Sequence, residues 1–233
     1  MSLHIVSAFD EDIQHLRGLI LRMGGMVEKL CREAFDAFSR GDGETAAELI
    51  EFDNQVDALE MEVYNETNRI LALRSPVASD LRVVFSAVRI AGNLERAGDK
   101  ARNNAKRAGL VNLSDYAGLS RVLQRMNDTA VANLHDTLTA YTNADLELAE
   151  AILLRDEELD TLFNTIFNNL MDALKTEEYS VDAMTQLMFV AKNIERIGDI
   201  TTNIAEIIIY EKTGQIPEDT RPKADALLAE MGK

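Results

Sequence analysis

Four pairs of acidic residues stand at i,i+4 spacing in this 233-residue chain: Asp53/Asp57, Glu95/Asp99, Asp156/Asp160 and Glu195/Asp199. Side chains four apart share a helix face, their origins roughly 5–6 Å apart, so two carboxylates can reach one cation or a small cluster. Like charges crowded on one face destabilise a helix unless a cation neutralises them. That is the chemical argument for metal.

Number alone does not distinguish these pairs, because 40 acids among 233 residues give about seven such pairs by chance, and solvated acidic faces are common. Recurrence does. Asn93-Leu94-Glu95-Arg96-Ala97-Gly98-Asp99 returns as Asn193-Ile194-Glu195-Arg196-Ile197-Gly198-Asp199, each followed four residues later by an asparagine, Asn103 and Asn203. Upstream, Arg22-Met23 matches Arg125-Met126, and Asp42, Asp53, Asp57 and Leu59 match Asp145, Asp156, Asp160 and Leu162. The chain is a tandem duplication.

At 100° per residue, Asp53 and Asp57 lie roughly 90–130° from the apolar arc of Leu49, Val56, Leu59, Val63 and Ile70. Glu195 and Asp199 lie about 120–160° from the arc of Ile194, Ile197, Ile204 and Ile208. The acids are therefore expected to flank the core. If the two acid-bearing helices of each unit are neighbours, their pairs converge into a four-carboxylate, oxygen-only site.

Such a set suits hard cations, Mg²⁺, Ca²⁺, Mn²⁺ or ferric iron, rather than zinc in a tetrahedral N/S site. Asn103 and Asn203 continue the stripe as further ligands or water-positioning groups. Arg96 and Arg196 point about 100° from their neighbouring glutamates and are not expected to neutralise them. Gly98 and Gly198 each cost about 1 kcal/mol relative to alanine inside a helix, so their presence predicts close approach by another helix or an ion.

Other chemistry is thinly represented. His4, His15 and His135 do not follow the acids at the Glu-x-x-His spacing of di-iron bundles and are expected on the surface or in packing. No phosphate loop, dinucleotide fingerprint or nucleophile elbow is present. Cys31 lies on an amphipathic stretch and reads as a buried, inert thiol. Nothing in the sequence requires an enzyme.

The elements that must position the acids are helices. Glycine is sparse, and the three prolines, Pro76, Pro217 and Pro222, leave long runs without a breaker. Helices are predicted over about Asp10–Ser39, Asp42–Leu73, Ser79–Gly109, Ser114–Tyr141, Asp145–Lys175 and Val181–Lys212, with a short one over Arg221–Met231. Gly41 is expected in the left-handed position that ends the first, Asp42 as a cap of the second, and Pro76 as the stop after it. The fold class is all-α: two tandem, sequence-related three-helix bundles, residues 8–110 and 114–212, with pseudo-twofold symmetry and a short C-terminal helix or tail at 218–233.

A formal charge of -16 argues against nucleic acid and anionic bilayers as partners and favours cations. One cysteine suits a reducing compartment, so the protein is expected in the cytoplasm. No stretch reaches the eighteen apolar residues of a membrane span, and Met1–Val6 is unlike a signal peptide, so direct membrane insertion is not expected. The basic residues Lys100, Arg102, Lys106 and Arg107 complement a helix C-terminus. Ile207–Tyr210 covers more circumference than one core needs, which leaves open a contact between units or protomers, or wider burial within the chain.

These residues resemble the PhoU family of phosphate-signalling regulators over nearly the whole chain. The resemblance is carried by the segments 93–99 and 193–199, by the pairs 53/57 and 156/160, and by His4–Asp10 with the following helix Leu16–Met23. It implies two three-helix bundles, multinuclear metal sites on the eight acids, and self-association as a homodimer or higher homo-oligomer. It further implies a cytosolic adaptor between the ATPase and transporter subunits of the high-affinity phosphate ABC transporter and a phosphate-sensing histidine kinase. Such an adaptor is a negative regulator of phosphate uptake and of the phosphate-starvation response. Against it stand a carboxylate-bundle enzyme or metal store, and a scaffold whose acids are only solvated surface.

Overall fold

The computed structural model describes residues 2–176 and 179–217, and for residues 2–7 and 176 only the backbone. Six long α-helices account for almost all of it: α1 (Ser2–Arg40), α2 (Gly43–Arg74), α3 (Ala78–Ala105), α4 (Ala117–Asn143), α5 (Leu146–Thr176) and α6 (Val181–Thr213). The terminal helix expected over Arg221–Met231 and the segment 218–233 lie outside the described residues.

The stops follow local chemistry. Gly41 takes φ 66°, and the Asp42 carboxylate accepts the Thr45 N–H at 3.0 Å, capping α2. Ser75, held before Pro76, leaves the right-handed region for φ 48° and closes α2 by donating its N–H to Leu71. α1 begins some turns before Asp10, since no glycine or proline interrupts residues 2–10. α3 ends at Ala105, ahead of Gly109, because the chain tightens: Arg107 and Ala108 donate to Asn104 and Ala105, three residues back. A 3₁₀ turn, Leu113–Tyr116, delays the start of α4.

Within each unit all three helices touch one another, and between units α1 packs on α4 and α3 on α6. Each cross-unit contact joins a helix to its own duplicated counterpart, which is what pseudo-twofold symmetry requires. The α1/α4 crossing is close at Gly24, where a Cβ would overlap the Leu138 side chain of α4. Ile207, Ile208 and Ile209 are all buried, so the wide apolar arc of α6 is used within the chain, where α6 packs against α3, α4 and α5. α2 and α5 pack only inside their own units, leaving their outer faces exposed. No helix among the described residues is long and apolar enough to cross a membrane.

Candidate metal centres

In the first unit α2 presents Asp53 and Asp57, and α3 presents Glu95 and Asp99. Gly98 makes this possible: a Cβ there would stand 3.1 Å from Asp53 Oδ1 and 3.6 Å from Val56 Cγ1. The helix-interior glycine thus marks close approach by another helix. With α3 so near, Asp53 is only 1% exposed, which corrects the expectation that it merely flanks the core.

The buried carboxylate is answered by a guanidinium. Arg102 Nη1 lies 2.5 Å from Asp53 Oδ2 and its Nη2 lies 2.6 Å from Asp99 Oδ1, so one side chain forks between α2 and α3. Burial still raises the Asp53 pKa; Arg102 opposes the rise, and Asp57 and Asp99 add to it. Glu95 is raised by burial and then by Asp99, Glu60, Asp57 and Asp53, which places the acids of both helices in one electrostatic field.

Glu60 belongs to this cluster and went unnoticed in the sequence. Burial and Asp57 raise its pKa while Arg96 lowers it, and its Oε1 would stand 3.5 Å from a Cβ at Gly92. Its signal was the i+3 spacing from Asp57, hidden because the second unit carries Phe163 at the matching position.

The second unit has the same plan with different cations. A Cβ at Gly198 would meet Leu159 Cδ1 at 2.5 Å and Asp156 Oδ1 at 3.6 Å, so α5 closes on α6. Asp156 is buried and Asp160 exposed. Lys192 Nζ is 2.6 Å from Glu195 Oε1, and Arg196 Nη1 is 2.9 Å from Asp199 Oδ2. Arg196 Nε also reaches within 3.8 Å of Glu195 Oε2. Arg196 is therefore a neutraliser after all, because its long side chain folds back along an i,i+3 row. Burial raises the Glu195 pKa, with Lys192 opposing and Asp199 reinforcing.

The two clusters are not copies. Arg102 is replaced by Thr202, whose hydroxyl donates to the Asp199 carbonyl at 2.8 Å, and Lys192 is replaced by Gly92. Among the described residues no three His, Cys, Asp or Glu side chains form a ready-made ligand shell. The protein's own cations hold several of the oxygens. The donor set nonetheless suits a hard cation, and Glu195 Oε2 is buried without accepting a hydrogen bond.

Asn203 opens on a different space from the acids of its own helix pair. The Asn103 main-chain carbonyl accepts Arg107 Nη1 at 2.7 Å, and Asn203 lines a cleft with Tyr64 of α2 and Asn93 and Arg96 of α3. His135 lies on the α1/α4 side, 3.1 Å from Glu28. Cys31 is buried, and burial pushes its thiol up to about 12, as an inert thiol requires.

The PhoU domain model matches twice, over residues 20–108 and 123–208. A phosphate-specific transport system accessory protein PhoU homolog of Caulobacter vibrioides is 40% identical over 97% of this chain and 99% of its own. One from Rhizobium meliloti is 38% identical over 95% and 94%. The crystal structure of PhoU from Pseudomonas aeruginosa superposes with a TM-score of 0.82 at 29% identity, covering 89% of this chain and 100% of that one. The phosphate transport system regulatory protein PhoU from Streptococcus pneumoniae gives 0.84 at 27% identity over 90% and 99%. These relatives are named for accessory or regulatory parts in phosphate transport and not for an enzymatic activity. By fold, by duplicated motif and by match over nearly its full length, the chain belongs to the PhoU family.

Proposed function

We propose that this protein is an accessory, negative regulator of phosphate uptake and of the phosphate-starvation response. It works in the cytoplasm as an adaptor between the phosphate ABC transporter and a phosphate-sensing histidine kinase. The observation that carries the reading is the double family match, together with relatives named as accessory proteins of the phosphate-specific transport system along almost their whole length. The outward faces of α2 and α5, which pack on no other unit, offer helical surface for such partners or for a second copy.

Metal is part of the proposal. Asp53, Asp57, Glu95 and Asp99, and Asp156, Asp160, Glu195 and Asp199, would hold Mg²⁺, Mn²⁺, Ca²⁺ or iron, which would supply the positive charge that Arg102, Lys192 and Arg196 now provide. Bound there, the ion would tie α2 to α3 and α5 to α6.

The test is deletion of the gene with a reporter of phosphate-starvation transcription in phosphate-rich medium. Raised expression, restored to baseline by the intact gene, supports the regulator; unchanged expression refutes it. Co-purification of the transporter ATPase and of the kinase with the tagged protein tests the adaptor separately.

A further inference from the structure

A cleft of about 460 Å³ opens between α2, α3 and α6, bounded by Tyr64, Arg89, Asn93, Arg96, Asn203 and Glu206. Residues 89, 93 and 96 are spaced by four and three and form one stripe of α3. Arg89 and Arg96 stand about 10.5 Å apart along the axis, within reach of a common point above Asn93. The space admits a small oxyanion with several waters, each taking about 30 Å³.

Asn93 gives the cleft its chemical character. It is 9% exposed, its Nδ2 donates to the Arg89 carbonyl at 2.8 Å, and its Oδ1 is buried without a partner. The donor side of the amide is used; the orphan is an acceptor. The matching Asn193 donates instead to Asn104 Oδ1 at 2.8 Å across the α3/α6 contact. Asn104's counterpart is Ile204, which offers Asn93 nothing. An acceptor left in this state costs about 1–3 kcal/mol unless a donor reaches it.

Two guanidiniums call for an anion, while Asn93 Oδ1 calls for a hydrogen-bond donor. We infer that the cleft binds an oxyanion that carries a proton, hydrogen phosphate or a phosphomonoester in its singly protonated form. Its charged oxygens meet Arg89 and Arg96, and its O–H is donated to Asn93 Oδ1. Sulfate matches the charge and lacks the proton, so it is rejected. Arg89, which lines the cleft, places its Cζ over the Tyr210 ring, 5.9 Å from the ring centroid. Glu206 and the -16 net charge limit affinity, so a dissociation constant on the order of 1 mM is expected. The physiological meaning rests on the regulatory reading above; binding itself does not.

The experiment is isothermal titration calorimetry of the full-length, chelator-treated protein with inorganic phosphate, glycerol 3-phosphate and sulfate at matched ionic strength. Chelation removes any metal through which the acids would capture phosphate. Saturable binding of either phosphate species, at least roughly tenfold weaker with sulfate and in Arg96→Gln and Arg89→Gln, is the expected result. Both arginines are exposed, so both variants keep the fold, which circular dichroism checks. No phosphate binding, equal binding of sulfate, or full retention in both variants overturns the inference. Because no transporter or kinase is present, that outcome would leave the regulatory proposal untouched.

Discussion

Arg102 closes on Asp53 from the neighbouring helix, Nη1 to Oδ2 at 2.5 Å, and so places a permanent cation inside an acidic cluster that would otherwise require a mobile one. Asp53 is 1% exposed, and its other oxygen faces Gly98. A buried carboxylate in this position needs a positive partner; in the first unit that is Arg102, whose counterpart in the second unit is Thr202.

Arg102→Met is therefore expected to destabilise the fold by about 2–3 kcal/mol. That is less than the roughly 3–5 kcal/mol of a fully buried pair, because the Arg102 side chain is one-quarter exposed. For a domain of this size the melting temperature should fall by roughly 4–12 °C. If the cluster takes a divalent ion, Mn²⁺ should recover much of this loss in the variant and change the parent little. Thermal unfolding with and without Mn²⁺ reads both effects; a variant as stable as the parent in chelator would contradict the role given to Arg102.

The pH dependence has a definite sign. Burial raises the pKa values of Asp53, Glu60, Glu95, Glu195 and Glu211 in the folded protein. The native state then binds more protons than the unfolded state in the window from the ordinary carboxylate range up to the raised values, so stability falls as pH rises through it. Urea midpoints at pH 5 should exceed those at pH 7.5. Glu211 is 4% exposed, pairs with Arg17 at 2.7 Å, and has an unpartnered Oε2. Glu211→Gln should flatten the slope, whereas an unchanged slope would assign it to general charge repulsion. Asp12 runs the other way: despite burial, Arg69 and Arg74 hold it below the usual range, so its contribution is lost as pH falls through the lowered value.

Much of this architecture was legible in the sequence. Helix limits at Gly41, Asp42 and Ser75 follow from turn chemistry within a few residues of each stop. Gly98 and Gly198 announced close helix approach because a helix-interior glycine needs a reason. What helical angles could not supply was the third dimension. Asp53 looked like a flank residue until α3 was laid against it, and Arg102 looked like a helix-end charge until its reach to α2 was known. Glu60 was masked by Phe163, since comparison of the repeats finds only what both units kept.

The two glycines should not respond alike to alanine. Alanine gains about 1 kcal/mol of helix propensity at either site. At Gly198 the new methyl would meet Leu159 Cδ1 at 2.5 Å in a packed core, and overpacking costs about 1–3 kcal/mol, so Gly198→Ala should be destabilising by about 1 kcal/mol net. At Gly98 the nearest atom, Asp53 Oδ1, lies at 3.1 Å, and Gly98→Ala should fall within about 0.5 kcal/mol of neutral. Urea melts decide; the reverse order would mean that Leu159 yields more easily than the Arg102-bound carboxylate.

The different cations also predict an order of metal binding. In the first unit Arg102 is three-quarters buried and bonded to two carboxylates on different helices, so an ion must compete with a well-held charge. In the second, Lys192 and Arg196 are 41% and 55% exposed, and ion pairs so open to water are worth at most about 1 kcal/mol. Glu195 Oε2 is meanwhile already free of hydrogen bonds. Mn²⁺ titrated into chelator-treated protein and followed by electron paramagnetic resonance should therefore show two classes of site. The tighter class should vanish in Glu195→Ala/Asp199→Ala and the weaker in Glu95→Ala/Asp99→Ala, while Arg102→Met should bring the weaker class toward the tighter. A single class lost equally in both double variants would show that the protein's own cations do not set the order of binding.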